Sequence, residues 1–429
     1  MSVFTKSRKA RLLGGIALAA TSAVILAGCA TGSDSAGEET SESSGGTWSK
    51  KDLTLKIGTA LPQTGTLAFL GPPEEAGVGY AAQQVNAEAD STGLAMDVTF
   101  GDSGDNDNKA YATEIPRLLS EDVQAIIGAA SSGTSLQFID QVVGAGVIQF
   151  SPANTSDAFT TYDDNGLYFR TAPSDVLQGD VLGNLIAAGG HKTLGMIVLN
   201  DSYGTGLAKY VTEAFEGAGG EVVAEPTFNN GDTTFDSQIN EVLAADPDAI
   251  VLITFDEAKT IIPTLTSKFP SENIYFVDGN LANYGTEFPA GTLEGAKGTY
   301  PGLSVDTIKD FTDQLDEFVA DAGDPPLKEY LYGAESFDAV VLLALASLAS
   351  GSSDAADIKL KLREVSGGEG DGTKCTTYKE CAEIIMDGGV ADYDGVSGPI
   401  TFDEVGDPTE ASIGEYIYDA ENMFVPFEG

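Results

Sequence analysis

From Asp52 onward, short aliphatic and β-branched runs alternate with longer amphipathic ones. Residues 53–61 (LTLKIGTAL) change side at every position, the period of a half-buried strand. Residues 73–89 set Ala76, Tyr80, Ala81, Gln84 and Val85 on one helical face. Strands are expected at 96–100, 125–128 and 147–150, with helices at 109–119 and 135–143 between them. Such βα units predict a parallel sheet covered on both faces. After Tyr168-Phe169-Arg170 the rhythm restarts. Helices are expected at 175–188, 203–218, 233–244 and 256–269, and strands at 193–199, 221–225, 249–254 and 273–277. Two series of domain size predict an α/β chain with two Rossmann-like, three-layer lobes and parallel-rich sheets.

The remainder is mostly helical. Residues 306–320 place Ile308, Phe311, Leu315, Phe318 and Val319 on one face. Residues 334–349 (AESFDAVVLLALASLA) are apolar nearly all round, which predicts a buried helix. Its apolar core falls well short of the ~20 residues that cross a bilayer. Strands are expected again at 397–402 and, after the turn at Asp407-Pro408, at 412–418.

The N-terminus follows a different pattern. Lys6, Arg8, Lys9 and Arg11 precede an apolar stretch that ends in Leu26-Ala27-Gly28-Cys29. The charged start, short apolar run and small-residue end make residues 1–28 an export signal. Its end looks like the bacterial lipobox, which implies cleavage before Cys29 and diacylation of that cysteine; an uncleaved anchor helix is the alternative. Two acyl chains suffice for stable anchoring to a bilayer. Residues 29–51, rich in Gly, Ser, Thr and Glu, cannot bury a core and form a flexible tether. The body is therefore expected outside the cytoplasm, lipid-anchored to the bacterial cell membrane.

Composition narrows the chemistry. Sixty-six acidic residues against 22 basic ones give 429 residues a net charge of −44, so nucleic acid is repelled. The acids are spread along the chain, as in a solvated shell, although such a field also attracts cations. The single histidine, His191, excludes multi-histidine metal sites. The run 102–108 (DSGDNDN) lacks the glycine and terminal glutamate of an EF-hand loop. There is no GxSxG elbow, no P-loop and no complete dinucleotide fingerprint. No metal and no cofactor are expected, and these residues give an enzyme reading no positive support. Cys375 and Cys381 are close enough in sequence to pair as a disulfide in an oxidising compartment, the alternative being a redox or metal dithiol.

Ligands of open α/β sheets collect at the carboxyl ends of strands, beside helix N-termini. That rule selects the polar elbows 129–134, after the third strand, and 151–155, after the fourth. In the second series it selects 200–204, 255–256 and 278–279. Ordinary N-capping competes as an explanation at each end taken singly.

The ordered segments KIGTALPQTG, GDSGDND, IIGAASSGT, QFSPANTSD, YFRTAPSD, NDSYGTGLA, DAIVLITF and VSGPITFDEVGD resemble the leucine/isoleucine/valine-binding protein family, from residue 53 to about 418. These are type I periplasmic-type substrate-binding proteins of ABC importers. The resemblance implies two lobes joined by a three-strand hinge, with crossovers near residues 170–173, 299–304 and 402–407. Lobe one would hold 52–171 and 302–404, and lobe two 172–301 and 405–429. It implies that Ser131, Ser132 and Thr155 bind an α-carboxylate, that the Ala153 carbonyl and Asp278 hold an α-ammonium, and that Tyr203 closes over the ligand. Phe255 stands where some relatives have a tyrosine, and Leu70 replaces an aromatic residue at the mouth. The expected ligand is a small zwitterion, a branched-chain or other amino acid, delivered by a monomer to ABC permease subunits. An amide- or urea-binding receptor or sensor of the same fold is the alternative.

Overall fold

The computed structural model describes residues 50–427. The leader, Cys29 and the tether up to residue 49 lie outside them, as do the last two residues.

The first sheet has five parallel strands in the spatial order Leu94–Thr99, Leu53–Ala60, Ala125–Gly128, Ile148–Ser151, Tyr168–Arg170. Its strands alternate between two apolar layers. Leu55, Ile57, Ile127, Ile148 and Phe150 join a core against helices Gly71–Ala87 and Gly333–Ser350. Ile126 faces the opposite core, with Ile115 and Leu118 of helix Tyr111–Ser120 and Phe138 and Val142 of helix Ser132–Gly144. Helix Gly333–Ser350 has mean hydropathy 1.4 yet is 83% buried, so it is a core element and no surface stripe.

The second sheet has eight strands. Glu221–Ala224, Thr193–Leu199, Ala249–Ile253, Ile274–Phe276 and Lys297–Pro301 run parallel in that order; Ile413–Tyr418 and Phe424–Pro426 add antiparallel strands at one edge. Thr227–Phe228 pairs with the far end of Thr193–Leu199. The chain thus forms a two-lobed α/β fold. It passes between the sheets after Tyr168–Arg170, after Lys297–Pro301 and before Ile413–Tyr418. Arg170, fully buried at the first passage, clamps Asp407 of the third through Nε–Oδ1 at 2.6 Å and Nη2–Oδ2 at 2.7 Å. Its Nη1 donates to the Asn154 and Ser156 carbonyls.

The expected strand at 397–402 is corrected. Only Gly398–Pro399 pairs there, with Gly395 and Asp394, and Phe402 makes an isolated bridge to Pro408. Pro399 has no N–H to give a ladder, and Gly398 sits at φ 124°. The helices Ala355–Val365 and Tyr378–Met386, and strands Thr373–Cys375, Ala391–Gly395 and Phe424–Pro426, were not foreseen. The Cys375 and Cys381 sulfurs lie at bonding distance at the start of helix Tyr378–Met386, with Cα atoms 5.4 Å apart.

Candidate functional site

Between the lobes, a cavity of about 10 Å³ is lined by Leu67, Leu70, Ala130, Ser131, Ser132, Ala153, Tyr203, Phe255, Asp278, Gly279 and Tyr332. Every binding position selected from the sequence lines it except Thr155. That residue lies just behind the wall, 1% exposed, its Oγ1 without a hydrogen-bond partner among the described residues.

Ser131 is the N-cap of helix Ser132–Gly144, its Oγ accepting from the Thr134 N–H at 3.2 Å. Ser132 Oγ accepts from the Ser156 N–H at 3.3 Å. Both oxygens are therefore engaged as acceptors, so their O–H protons remain to be given to an anion. The helix N-terminus behind them adds unpaired N–H groups and a favourable dipole. Capping thus leaves the proton of the same hydroxyl free. A second elbow braces the first: Asn154 Nδ2 donates to the Ala130 carbonyl at 2.8 Å, and Ser151 Oγ to the Ala129 carbonyl at 2.7 Å.

The opposite lobe supplies negative charge. Tyr203 lies in the first turn of helix Ser202–Gly217, capped by Asp201, and its hydroxyl donates to Asp278 Oδ1 at 2.7 Å. Tyr332 donates to Oδ2 at 2.8 Å. Burial pushes the Asp278 carboxyl above its ordinary range, against the pull of these donors. The loop is pinned by Asn280, whose Oδ1 accepts from the Val277 N–H and whose Nδ2 donates to the Leu252 carbonyl. Gly279 is obligatory in this packing, since a Cβ there would meet Phe255 Cδ1 at 2.8 Å and the Tyr203 hydroxyl at 2.9 Å. Phe255 stacks on Tyr203 with ring centroids 5.3 Å apart.

Leu67 and Tyr332 are lining residues that strand-end reasoning missed, and Asp175 is a buried acid near Asp278 that it also missed. Tyr332 sits at φ 59° immediately before helix Gly333–Ser350, more than fifty residues after Asp278. Asp175 begins helix Asp175–Ala188; it is fully buried, and neither carboxyl oxygen has a partner among the described residues. Burial first, and the nearby Asp278 charge second, raise its pKa well above the ordinary carboxylate range. A capping serine at 174 was its only sequence signal.

The lobes are in contact around this cavity. Ser156 Oγ donates to the Ser202 carbonyl at 3.0 Å, the Tyr210 hydroxyl donates to Asp157, and the Asp256 N–H donates to the Thr66 carbonyl at 3.1 Å. His191 lies away from it, edge-on to Tyr275. In the acidic run, Asp102 Oδ1 accepts from the Gln63, Thr64 and Gly104 N–H groups, and Asp105 accepts from Thr66, Asp107 and Asn108. Those carboxylates build turns. Among the described residues no cluster of three or more metal-ligating side chains occurs.

The profile of the family described as periplasmic binding protein matches residues 54–395. The chain belongs to that family. Family membership implies an extracytoplasmic location for this periplasmic binding protein. It is similar to the leucine-, isoleucine-, valine-, threonine- and alanine-binding protein of Pseudomonas aeruginosa, 29% identical over 45% of this chain and 51% of that one. The chain thus spans about half the length of that relative. The chemotactic signal transduction substrate-binding protein BasB of Halobacterium salinarum is 23% identical over 85% of this chain and 87% of its own. Among solved structures, the leucine-binding protein LivK of Thermotoga maritima superposes with TM-score 0.70 at 22% identity, covering 87% of this chain and 98% of LivK. LivJ of Streptococcus pneumoniae, in complex with isoleucine, superposes with TM-score 0.67 at 22% identity, covering 87% of this chain and all of LivJ. These likenesses establish the type I periplasmic binding protein fold, and the relatives are solute-binding proteins.

Proposed function

We propose that this chain is the substrate-binding component of an ABC importer and captures an α-amino acid by closure of two lobes. The observation that carries the reading is one cavity in which hydroxyl donors at a helix N-terminus face a buried aspartate from the opposite lobe. A zwitterion satisfies both halves. Its carboxylate takes the Ser131 and Ser132 protons, with Thr155 behind them. Its ammonium meets the Ala153 carbonyl and Asp278, a buried anion that gains from a paired cation. Tyr203 and Phe255 come in with the second lobe. On this reading residues 52–171 with 302–404 form lobe one, residues 172–301 with 405–429 form lobe two, and the passages carrying Arg170 and Asp407 form the hinge. Cys29 carries the acyl anchor after removal of residues 1–28, residues 29–51 tether a monomer to the membrane, and Cys375–Cys381 is a disulfide.

Titration calorimetry with a panel of amino acids tests the reading, with Asp278→Asn as the decisive variant. Loss of the charge is expected to weaken a zwitterion by about 2–5 kcal/mol, the usual cost of truncating a buried charged pair. Binding of urea or a neutral amide with no sensitivity to Asp278→Asn would replace the amino acid with an amide. The relative BasB belongs to a signalling system, which favours sensing as the second reading. Uptake of labelled amino acid lost on deletion of the gene separates import from sensing.

A further inference from the structure

Phe255 is a wall shared by two cavities of very different size. On one side lies the serine–aspartate cavity of about 10 Å³, room for a single water. On the other, a cavity of about 780 Å³ opens between the lobes. The two adjoin along the chain as well: Leu70 lines the small one and Phe69 the large one, and Gly279 and Asn280 are divided in the same way. The larger of these two cavities thus lies beyond Phe255, and a branched aliphatic side chain would leave most of it to water.

The large cavity is aromatic from both sides. Phe69, Phe100 and Phe318 come from the lobe of the first sheet, and Phe255 and Tyr284 from the other. Phe100 is 42% exposed at the edge of this cavity. The polar rim is net negative. Glu75, Asp256, Glu287, Asp324 and Glu329 face only Lys259 and Lys328. Lys259 is already paired, with Asp256 at 2.7 Å and Glu287 at 3.4 Å. Phe255 has no hydroxyl to tie it down, and its ring is held by its stack on Tyr203.

We infer that the ligand is an α-amino acid with a large aromatic side chain, its head received between the serines and Asp278 as the lobes part, and its ring past Phe255 among the aromatic walls of the larger cavity. This rests on the amino-acid reading above and names its substrate class. A cavity of several hundred Å³ suits a ligand of that bulk. Offset and edge-on ring contacts add to the area removed from water. Each additional buried CH₂ tightens binding roughly fourfold. The negative rim repels an acidic side chain.

The test is calorimetry on the full chain, stripped of bound ligand, with valine, leucine, phenylalanine, tryptophan and glutamate as probes. Phenylalanine and tryptophan are expected at least tenfold tighter than valine and leucine, with no measurable heat from glutamate. Ala282→Trp fills the large cavity from the second lobe and is expected to lower the ratio of phenylalanine to valine affinity about tenfold. Phe318→Ala removes a wall from the opposite lobe and should lower the same ratio, which decides the matter should the tryptophan variant fail to fold. Valine and leucine binding as tightly as phenylalanine, with neither variant moving the ratio, would overturn the aromatic assignment and leave the amino-acid reading standing. No heat from any of the five would remove the reading beneath it, and the assignment with it.

Discussion

Arg170 and Asp175 are five positions apart, both fully buried, and their electrostatic situations are opposite. Arg170 is saturated: two bonds to Asp407, two to backbone carbonyls, and one from Nη2 to the Thr160 hydroxyl at 3.1 Å. The Asp175 carboxyl has only the Thr155 hydroxyl and the more distant Arg170 charge to set against its burial, and the nearby charge of Asp278 helps to raise its pKa. The first arrangement holds two interlobe passages in register. The second leaves two buried carboxylates near each other, each with its pKa raised above the ordinary range. The difference teaches that burial alone does not tell a structural charge from a binding one. What separates them is whether the protein itself completes the set of partners.

Breaking the completed pair should have the largest effect. Asp407→Ala leaves the Arg170 guanidinium buried and uncompensated, and about 3–5 kcal/mol of stability should be lost in urea unfolding. A loss under 1 kcal/mol would mean that the clamp is incidental to the hinge.

A second prediction uses the incomplete side. Burial raises the Glu335 carboxyl to about 8 and the Asp201 carboxyl to about 6. Between the unfolded value and these folded values the native protein holds protons that the unfolded chain has released. Stability is therefore full at acid pH and falls as pH climbs through about 6 and on to about 8. Thermal midpoints measured from pH 5 to 9 should decline, and Glu335→Gln should flatten the upper part of that decline. Parallel curves for the two proteins would contradict it.

The smallest effect sharpens the contrast. Asp278→Asn removes one of two neighbouring buried charges, yet its amide can still pair with the Tyr203 and Tyr332 hydroxyls. Stability of the unliganded protein should stay within about 1 kcal/mol of the parent, or rise, although ligand affinity collapses. A loss of stability as large as that of Asp407→Ala would make Asp278 a structural residue.

Strand-end reasoning reaches the cavity where a side chain and the element that carries it are adjacent in sequence. Ser131 and Ser132 follow strand Ala125–Gly128, and Asp278 lies two residues beyond strand Ile274–Phe276; local geometry alone carries them to the cleft. Thr155 is buried but off the cavity wall, and its neighbour Asn154 bonds the Ala129 and Ala130 carbonyls. The segment after residue 350 resisted reading for another reason. Its short elements take their order from packing on helix Gly333–Ser350, whose all-round apolar surface dictates burial but no particular neighbour.

Hydrophobic periodicity by itself determined the two βα series, the buried helix and the places where strands run into polar elbows, because each depends on the period of one short stretch of chain. The tertiary structure alone decided that Tyr332 would share a carboxylate with Tyr203, that Arg170 would find Asp407, and that a roomy aromatic cavity would open beside a water-sized one. Those outcomes depend on distances between residues far apart in the chain, and such distances are set by how whole sheets and helices pack.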